Sequence, residues 1–117
     1  LVAQINGKRQ RRGVTQYYIG DGLYGGLNCV LYDHASPKAR PLRVVSRAKE
    51  HAEAAYAPAT VFGPTCDGLD TVLEDHPLPE DLVPGDWLVF DNMGAYTHCG
   101  ATAFNGIDAV NVPMFYL

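Results

Sequence analysis

The sequence predicts an all-β domain, a barrel or a sandwich, and three observations carry that expectation. Glycine (12) and proline (8) are frequent and spread along the 117 residues. Between them lie short apolar runs rich in β-branched and aromatic residues, clearest in Cys29-Val30-Leu31-Tyr32 and Trp87-Leu88-Val89-Phe90. Turn signals such as Asn6-Gly7, Pro84-Gly85 and Asn105-Gly106 separate the runs. Many short strands joined by tight turns make a barrel or sandwich the natural architecture.

Taken in order, strands are expected at Leu1–Asn6, Gln16–Ile19, Leu27–Tyr32, Leu42–Val45 and Ala59–Phe62. They continue at Thr71–Leu73, Asp86–Phe90, Thr102–Phe104 and Pro113–Tyr116. Ser46–Tyr56 alone reads as helical, from its alanines and from Ser46 as an N-cap, with Pro58 ending it. The same stretch also fits a flexible excursion. There is no repeat period and no low-complexity segment.

A chain of this length forms one domain and buries roughly two-thirds of its unfolded surface, enough for a core without staples. The formal net charge is −4, from 13 acidic and 9 basic residues. An acidic balance argues against nucleic acid as the main partner. No apolar run approaches the roughly 18 residues of a membrane span. Leu1 to Arg12 runs from apolar to basic, the reverse of a signal peptide, and with no Met at its start the chain reads as a fragment or a trimmed product. Cys29, Cys66 and Cys99 are odd in number and widely spaced, which argues against a disulfide framework and points to a reducing cytoplasm.

Gly20-Asp21-Gly22-Leu23-Tyr24-Gly25 fits the G-x-G-x-x-G spacing, but a dinucleotide site needs a helix to open there, and a strand is expected instead. Lys8, Arg9, Arg11 and Arg12 form a basic cluster without the aromatic partners of a nucleic-acid surface, and read as a solvated loop between strands. Among the histidines and cysteines only His98 and Cys99 are close in sequence, and adjacent residues rarely chelate together, so no metal site is expected. Cys66 and Asp67 sit where a strand runs into a Gly/Pro-bounded loop. A thiol and a carboxylate there can serve as proton donor and cation anchor. On local physics alone, a buried cysteine with a turn-making Asp-Gly behind it is the simpler account. Asp33 at a strand end is equally suited to capping a turn. Tyr96 can offer its hydroxyl to a ligand or simply pack half-buried.

Together these segments resemble the C-terminal domain of eukaryotic-type ornithine decarboxylases, pyridoxal-phosphate enzymes of the alanine-racemase-like group. The resemblance rests on Tyr17 to Gly25, Asn28 to Ala35, Gly63-Pro64-Thr65-Cys66-Asp67-Gly68-Leu69-Asp70, Gly85 to Thr97 and Phe104-Asn105-Gly106, in family order and spacing. It implies that residues 1–117 are a single C-terminal β domain, with the family's N-terminal (β/α)8 barrel absent from this chain. It implies pyridoxal 5'-phosphate as cofactor, with the Schiff-base lysine on that barrel, and a pyridinium ring acting as electron sink. The activity implied is conversion of L-ornithine to putrescine and carbon dioxide, in polyamine synthesis.

The resemblance also assigns roles. Cys66 protonates Cα after carbon dioxide leaves. Asp67 and Asp33, the latter with Tyr32, bind the distal ammonium of ornithine, and Phe104 lines the pocket. Tyr96 donates to the cofactor phosphate. Cys66 and Asp67 reach into the partner subunit's pocket, so a homodimer is implied and this chain alone is expected to be inactive. Relatives acting on diaminopimelate carry Glu-Ser where this chain has Asp67-Gly68. Two stretches depart from the family's usual pattern. Gly20-Asp21-Gly22-Leu23-Tyr24-Gly25-Gly26-Leu27 stands for Asn-Asp-Gly-Val-Tyr-Gly-Ser-Phe, and His98-Cys99-Gly100 for a small, alanine-rich run. Other readings within the resemblance are a lysine or arginine decarboxylase and a non-catalytic relative such as an antizyme inhibitor, which binds antizyme.

Overall fold

The computed structural model describes residues 1–46 and 54–116. Six strands form one sheet in the order β3-β6-β1-β2-β4-β5. They are β1 (Val2–Arg11), β2 (Val14–Ile19), β3 (Ala39–Leu42), β4 (Tyr56–Phe62), β5 (Thr71–Pro79) and β6 (Trp87–Phe90). All neighbours are antiparallel except β2 and β4. The sheet curls until its two edges meet at one side chain. His76 Nε2 on β5 lies 3.0 Å from the Ala39 carbonyl oxygen and 3.3 Å from the Ala39 nitrogen on β3. The expected all-β barrel is therefore what the chain forms, nearly closed.

Alternation along the strands builds the interior. Ala3 and Ile5 of β1, Thr15, Tyr17 and Ile19 of β2, Ala59 and Val61 of β4, and Leu88 and Phe90 of β6 are all buried. Leu23, Leu27 and Leu82 plug the same core from connecting segments. Tyr17 is wholly buried, yet its hydroxyl donates to the Pro79 carbonyl at 2.8 Å. Burial, followed by the nearby Asp81, pushes that phenol up to about 12.

Several sequence expectations need correction. The basic cluster is largely strand: Lys8, Arg9 and Arg11 lie in β1, and only Arg12-Gly13 forms the turn. Both turn residues have positive φ (50° and 79°), as a two-residue hairpin requires. The Asn6-Gly7 signal marks an irregularity in the β1–β2 register, not a turn. Leu27–Tyr32 is not a strand; it ends in a short helix, α1 (Cys29–Tyr32). A short apolar run does not distinguish the two by periodicity. Here the Asn28 side chain, donating to the Gly25 carbonyl at 2.6 Å and to the Thr97 carbonyl, holds the chain in turns. The strand expected at Leu42–Val45 falls earlier, at Ala39–Leu42, because Asp86 captures the next backbone. Its carboxylate accepts from the nitrogens of Val44, Val45 and Ser46 at 2.9, 2.8 and 3.0 Å.

Thr102–Phe104 and Pro113–Tyr116 are not strands either. Phe104–Gly106 is a 3-10 turn, and the extended residues beyond it meet no strand among the described residues. The β5 strand runs past the expected Leu73 to Pro79. It is an edge strand, where Pro77 and Pro79 do not remove hydrogen bonds the sheet needs. Of the Ser46–Tyr56 helix, residues 47–53 lie outside the described residues; Tyr56 opens β4.

Candidate active site

The loop between β4 and β5 carries Cys66 and Asp67, and one buried carboxylate shapes it. Asp70 accepts from the Thr65 nitrogen and hydroxyl at 3.0 and 2.7 Å, which closes the loop on itself. Its other oxygen accepts from the Leu23 nitrogen at 2.8 Å, which ties the loop to the glycine-rich segment. A Cβ on Gly63 would lie 2.1 Å from Asp70 Oδ1, and one on Gly22 would lie 2.3 Å from it. Glycine at these two positions is thus a consequence of the buried carboxylate.

The glycine-rich segment is itself organised around an anion. Asp21 accepts from the Gly22 and Gly26 nitrogens at 2.8 and 2.9 Å. Burial pushes Asp21 up, against the lowering effect of those two bonds. A helix does follow the G-x-G-x-x-G spacing, contrary to the expected strand. It has only four residues, and the backbone donors that a phosphate would use at Gly22 and Gly26 are occupied. The dinucleotide reading fails for that reason.

On this base the functional side chains converge. The Tyr24 hydroxyl donates to one oxygen of Asp67, and the Leu69 nitrogen donates to the other at 3.0 Å. The Tyr24 bond, then the Leu69 bond, holds the Asp67 carboxyl below its ordinary range. The Tyr24 phenol is pushed up to about 12, first by that same bond. Phe104 stacks face to face with Tyr24, at 4.2 Å between centroids and 21° between planes. Thr102 anchors this arm, donating its nitrogen to the Tyr24 carbonyl at 2.8 Å. Next along the arm, Asn105 Nδ2 donates to Cys66 Sγ at 3.1 Å. A narrow cleft runs between Tyr24, Pro64, Thr65 and Phe104. Cys66 is exposed, so the simpler account of a buried structural cysteine does not hold.

The structure thus brings Cys66, Asp67 and Phe104 together and adds Tyr24, Asn105 and Asp70, which sequence reasoning missed. Tyr24 and Asp70 lay within stretches already singled out, but nothing in their spacing signals that they meet. Asp33 and Tyr96 stand apart, while Tyr32 is near enough to Tyr24 to help raise its phenol. Tyr32 is 65% exposed at the end of α1, and Asp33 caps that helix by donating its nitrogen to the Cys29 carbonyl at 2.9 Å. Tyr96 is 79% exposed with a φ of 59°, which projects its ring from the surface. No hydrogen bond or ring contact among the described residues joins Tyr32, Asp33 or Tyr96 to the Cys66–Asp67 group.

Comparison with known proteins identifies the family. A family model described as the pyridoxal-dependent decarboxylase C-terminal sheet domain matches residues 1–94. The chain is 51% identical over 114 residues to a chloroplastic ornithine decarboxylase of Nicotiana glutinosa, covering 96% of this chain and 26% of that protein. It is 46% identical over 96 residues to the ornithine decarboxylase of Rattus norvegicus, covering 82% of this chain and 20% of that one. Among solved structures it is similar to the Paramecium bursaria Chlorella virus arginine decarboxylase bound to agmatine. There the TM-score is 0.79 at 37% identity, over 91% of this chain and 28% of that one. A lysine decarboxylase from Selenomonas ruminantium gives a TM-score of 0.79 at 32% identity, over 92% of this chain and 26% of that one. The chain spans about a fifth to a quarter of the length of the curated relatives it matches.

Proposed function

The chain belongs to the C-terminal sheet-domain family of the pyridoxal-dependent decarboxylases, and from that premise we propose that it supplies half of the active site of an ornithine decarboxylase. The other half, with the lysine that anchors the cofactor, lies on a barrel domain outside these residues. The observation that carries the reading is the loop at Cys66 and Asp67. An exposed thiol and a carboxylate held in its charged form sit side by side on a loop fixed from beneath by Asp70. That arrangement suits a substrate with a reacting carbon at one end and an ammonium at the other.

Each residue then has a task. Asp67, aimed by Tyr24 and Leu69, pairs with the distal ammonium of L-ornithine, because a desolvated cation needs a partner. Asp33, beside Tyr32, is a second carboxylate for the same ammonium. Phe104, stacked on Tyr24, walls the pocket and excludes water. Cys66 delivers a proton to Cα after carbon dioxide has left, and the product is putrescine.

The residues present fit one edge of pyridoxal 5'-phosphate: the exposed Tyr96 phenol, without a hydrogen-bond partner among the described residues, suits a phosphate oxygen. The cofactor, when bound, supplies an electron sink for the pair released at Cα. Among the described residues neither Asp33 nor Tyr96 is hydrogen-bonded to the Cys66 group, and Tyr32 bears on it only electrostatically, through Tyr24; a site shared between two subunits of a homodimer accommodates both sets. The cytoplasm is the compartment proposed, with the chloroplast, named for the Nicotiana glutinosa relative, as the other reading.

The fold likeness to lysine and arginine decarboxylases keeps a second reading, a longer basic amino acid as substrate. Rates of carbon dioxide release from carboxyl-labelled ornithine, lysine and arginine by the cofactor-loaded enzyme decide between them. The highest kcat/KM on ornithine supports the first reading, and a preference for lysine or arginine replaces it with the second.

A further inference from the structure

Two adjacent residues of the C-terminal arm address two adjacent residues of the cysteine loop. Phe104 reaches Asp67 through Tyr24, and Asn105 reaches Cys66 directly. We propose that Asn105 is the positioning residue for the Cys66 thiol: its carboxamide fixes the direction of the sulfur and holds the thiolate that remains once the proton has gone. The inference rests on the reading of Cys66 as proton donor.

The geometry carries it in three steps. First, Cys66 is exposed and its side chain is otherwise free to rotate; a contact of 3.1 Å from Asn105 Nδ2 selects one direction for Sγ. Second, an amide nitrogen only donates, so the sulfur is the acceptor and its own proton points elsewhere, uncommitted. In the transfer, the S–H bond breaks as a C–H bond forms at Cα. The electron pair stays on sulfur, where the Asn105 N–H meets it, and solvent later restores the thiol proton. A donor aimed at an atom that becomes negative stabilises that state more than the neutral one.

Third, the carboxamide sits on a fixed mount. Asn105 has φ 61° and ψ 18°, and Gly106 follows with φ 73°. The Gly106 nitrogen bonds to the Ala103 carbonyl at 3.0 Å, and Thr102 bonds to the Tyr24 backbone. The turn is therefore attached to the same tyrosine that aims Asp67.

A left-handed residue also explains an asparagine without any role for its side chain, and the test separates the two accounts. Glycine and aspartate both tolerate this conformation, so Asn105→Gly and Asn105→Asp preserve the turn while removing the donor. Both variants are made in the cofactor-loaded enzyme, with Cys66→Ala for reference, and two quantities are read. One is the ratio of diamine formed to carbon dioxide released. The other is the rate at which iodoacetamide alkylates Cys66, with exposed Cys99 as internal standard.

If Asn105 positions the thiol, both variants lower the diamine ratio, as Cys66→Ala does. Alkylation of Cys66 also slows about tenfold, the worth of one hydrogen bond to a charged group. If either quantity is unchanged in both variants while Cys66→Ala lowers the ratio, Asn105 is a turn residue only and the proposal falls, leaving the role of Cys66 intact. If Cys66→Ala itself leaves the ratio at one, the proton-donor reading is wrong and the inference goes with it.

Discussion

The Tyr24 hydroxyl donates its hydrogen bond to the Asp67 carboxylate across 43 residues of sequence. It gives a loop carboxylate a fixed direction without neutralising it, because a phenol at ordinary pH donates and carries no charge. The bond also leaves a mark on both groups. Tyr24 moves from 10.0 to about 12, and Asp67 moves below its ordinary 3.8.

The signs define a titration. A raised Tyr24 keeps its proton longer in the folded state, so its contribution is complete below about 10 and is lost as pH rises through about 12. The lowered Asp67 contributes above its ordinary 3.8 and loses that contribution as pH falls through its folded value. Asp67→Asn should bring the Tyr24 midpoint back toward 10.0, measured by phenolate absorbance as a difference against Tyr24→Phe. A Tyr24 midpoint already near 10.0 in the unsubstituted protein would mean that the pair does not form.

The same Asp67→Asn change should raise KM for ornithine far more than it lowers kcat, since it removes a partner of the substrate's ammonium and not a reacting group. An unaltered KM, from steady-state carbon dioxide release, would leave Asp67 as a turn residue.

Gly63→Ala places a methyl group 2.1 Å from Asp70 Oδ1. Asp70 is buried and bound to Thr65 and Leu23, so it has no room to retreat. Overpacking of this kind costs about 1–3 kcal/mol, and the loss of the Leu23 bond adds to it. The urea midpoint should fall by a matching amount, and Cys66 alkylation should change because its loop has shifted. Gly68→Ala serves as control, since a Cβ there meets nothing within 4 Å.

Asp86 organises the opposite end of the barrel. Burial works to raise its carboxyl, but the Ser46 side chain and the nitrogens of Ser46, Val44 and Val83 outweigh burial and hold it well below the usual range. Asp86→Ala should destabilise the fold by about 3 kcal/mol, because several buried N–H groups lose their acceptor together. A depressed carboxyl stabilises above the unfolded value near 3.8 and ceases to do so as pH falls through the folded one. The difference in urea midpoint between wild type and Asp86→Ala should therefore be constant near neutrality and shrink in acid. A difference independent of pH would argue that packing, not charge, sets the effect.

Much of this was legible in the sequence, and the failures share a cause. Strands such as Trp87–Phe90 were readable because a short apolar run rich in β-branched and aromatic residues is a local property. Cys66 and Asp67 were readable only through the family resemblance, because local physics alone favours a buried cysteine followed by a turn-making Asp-Gly. What was not readable depends on contacts distant in sequence. Cys29–Tyr32 is helical because Asn28 bonds to Thr97, and β5 tolerates Pro77 and Pro79 because it is an edge. Tyr24, Asn105 and Asp70 became visible only when the fold set them against the cysteine loop. The half-buried Asp21 and the buried Asp70 and Asp86 look like ordinary turn aspartates until their donors are counted.

The central claim is that Cys66 gives its proton to Cα, and the ratio of putrescine to carbon dioxide in Cys66→Ala tests it most directly. The cofactor-loaded enzyme carrying that change should still bind pyridoxal phosphate and still release carbon dioxide, but should form well under one putrescine for each carbon dioxide. A ratio that stays at one would contradict the assignment and move the proton donor to another group.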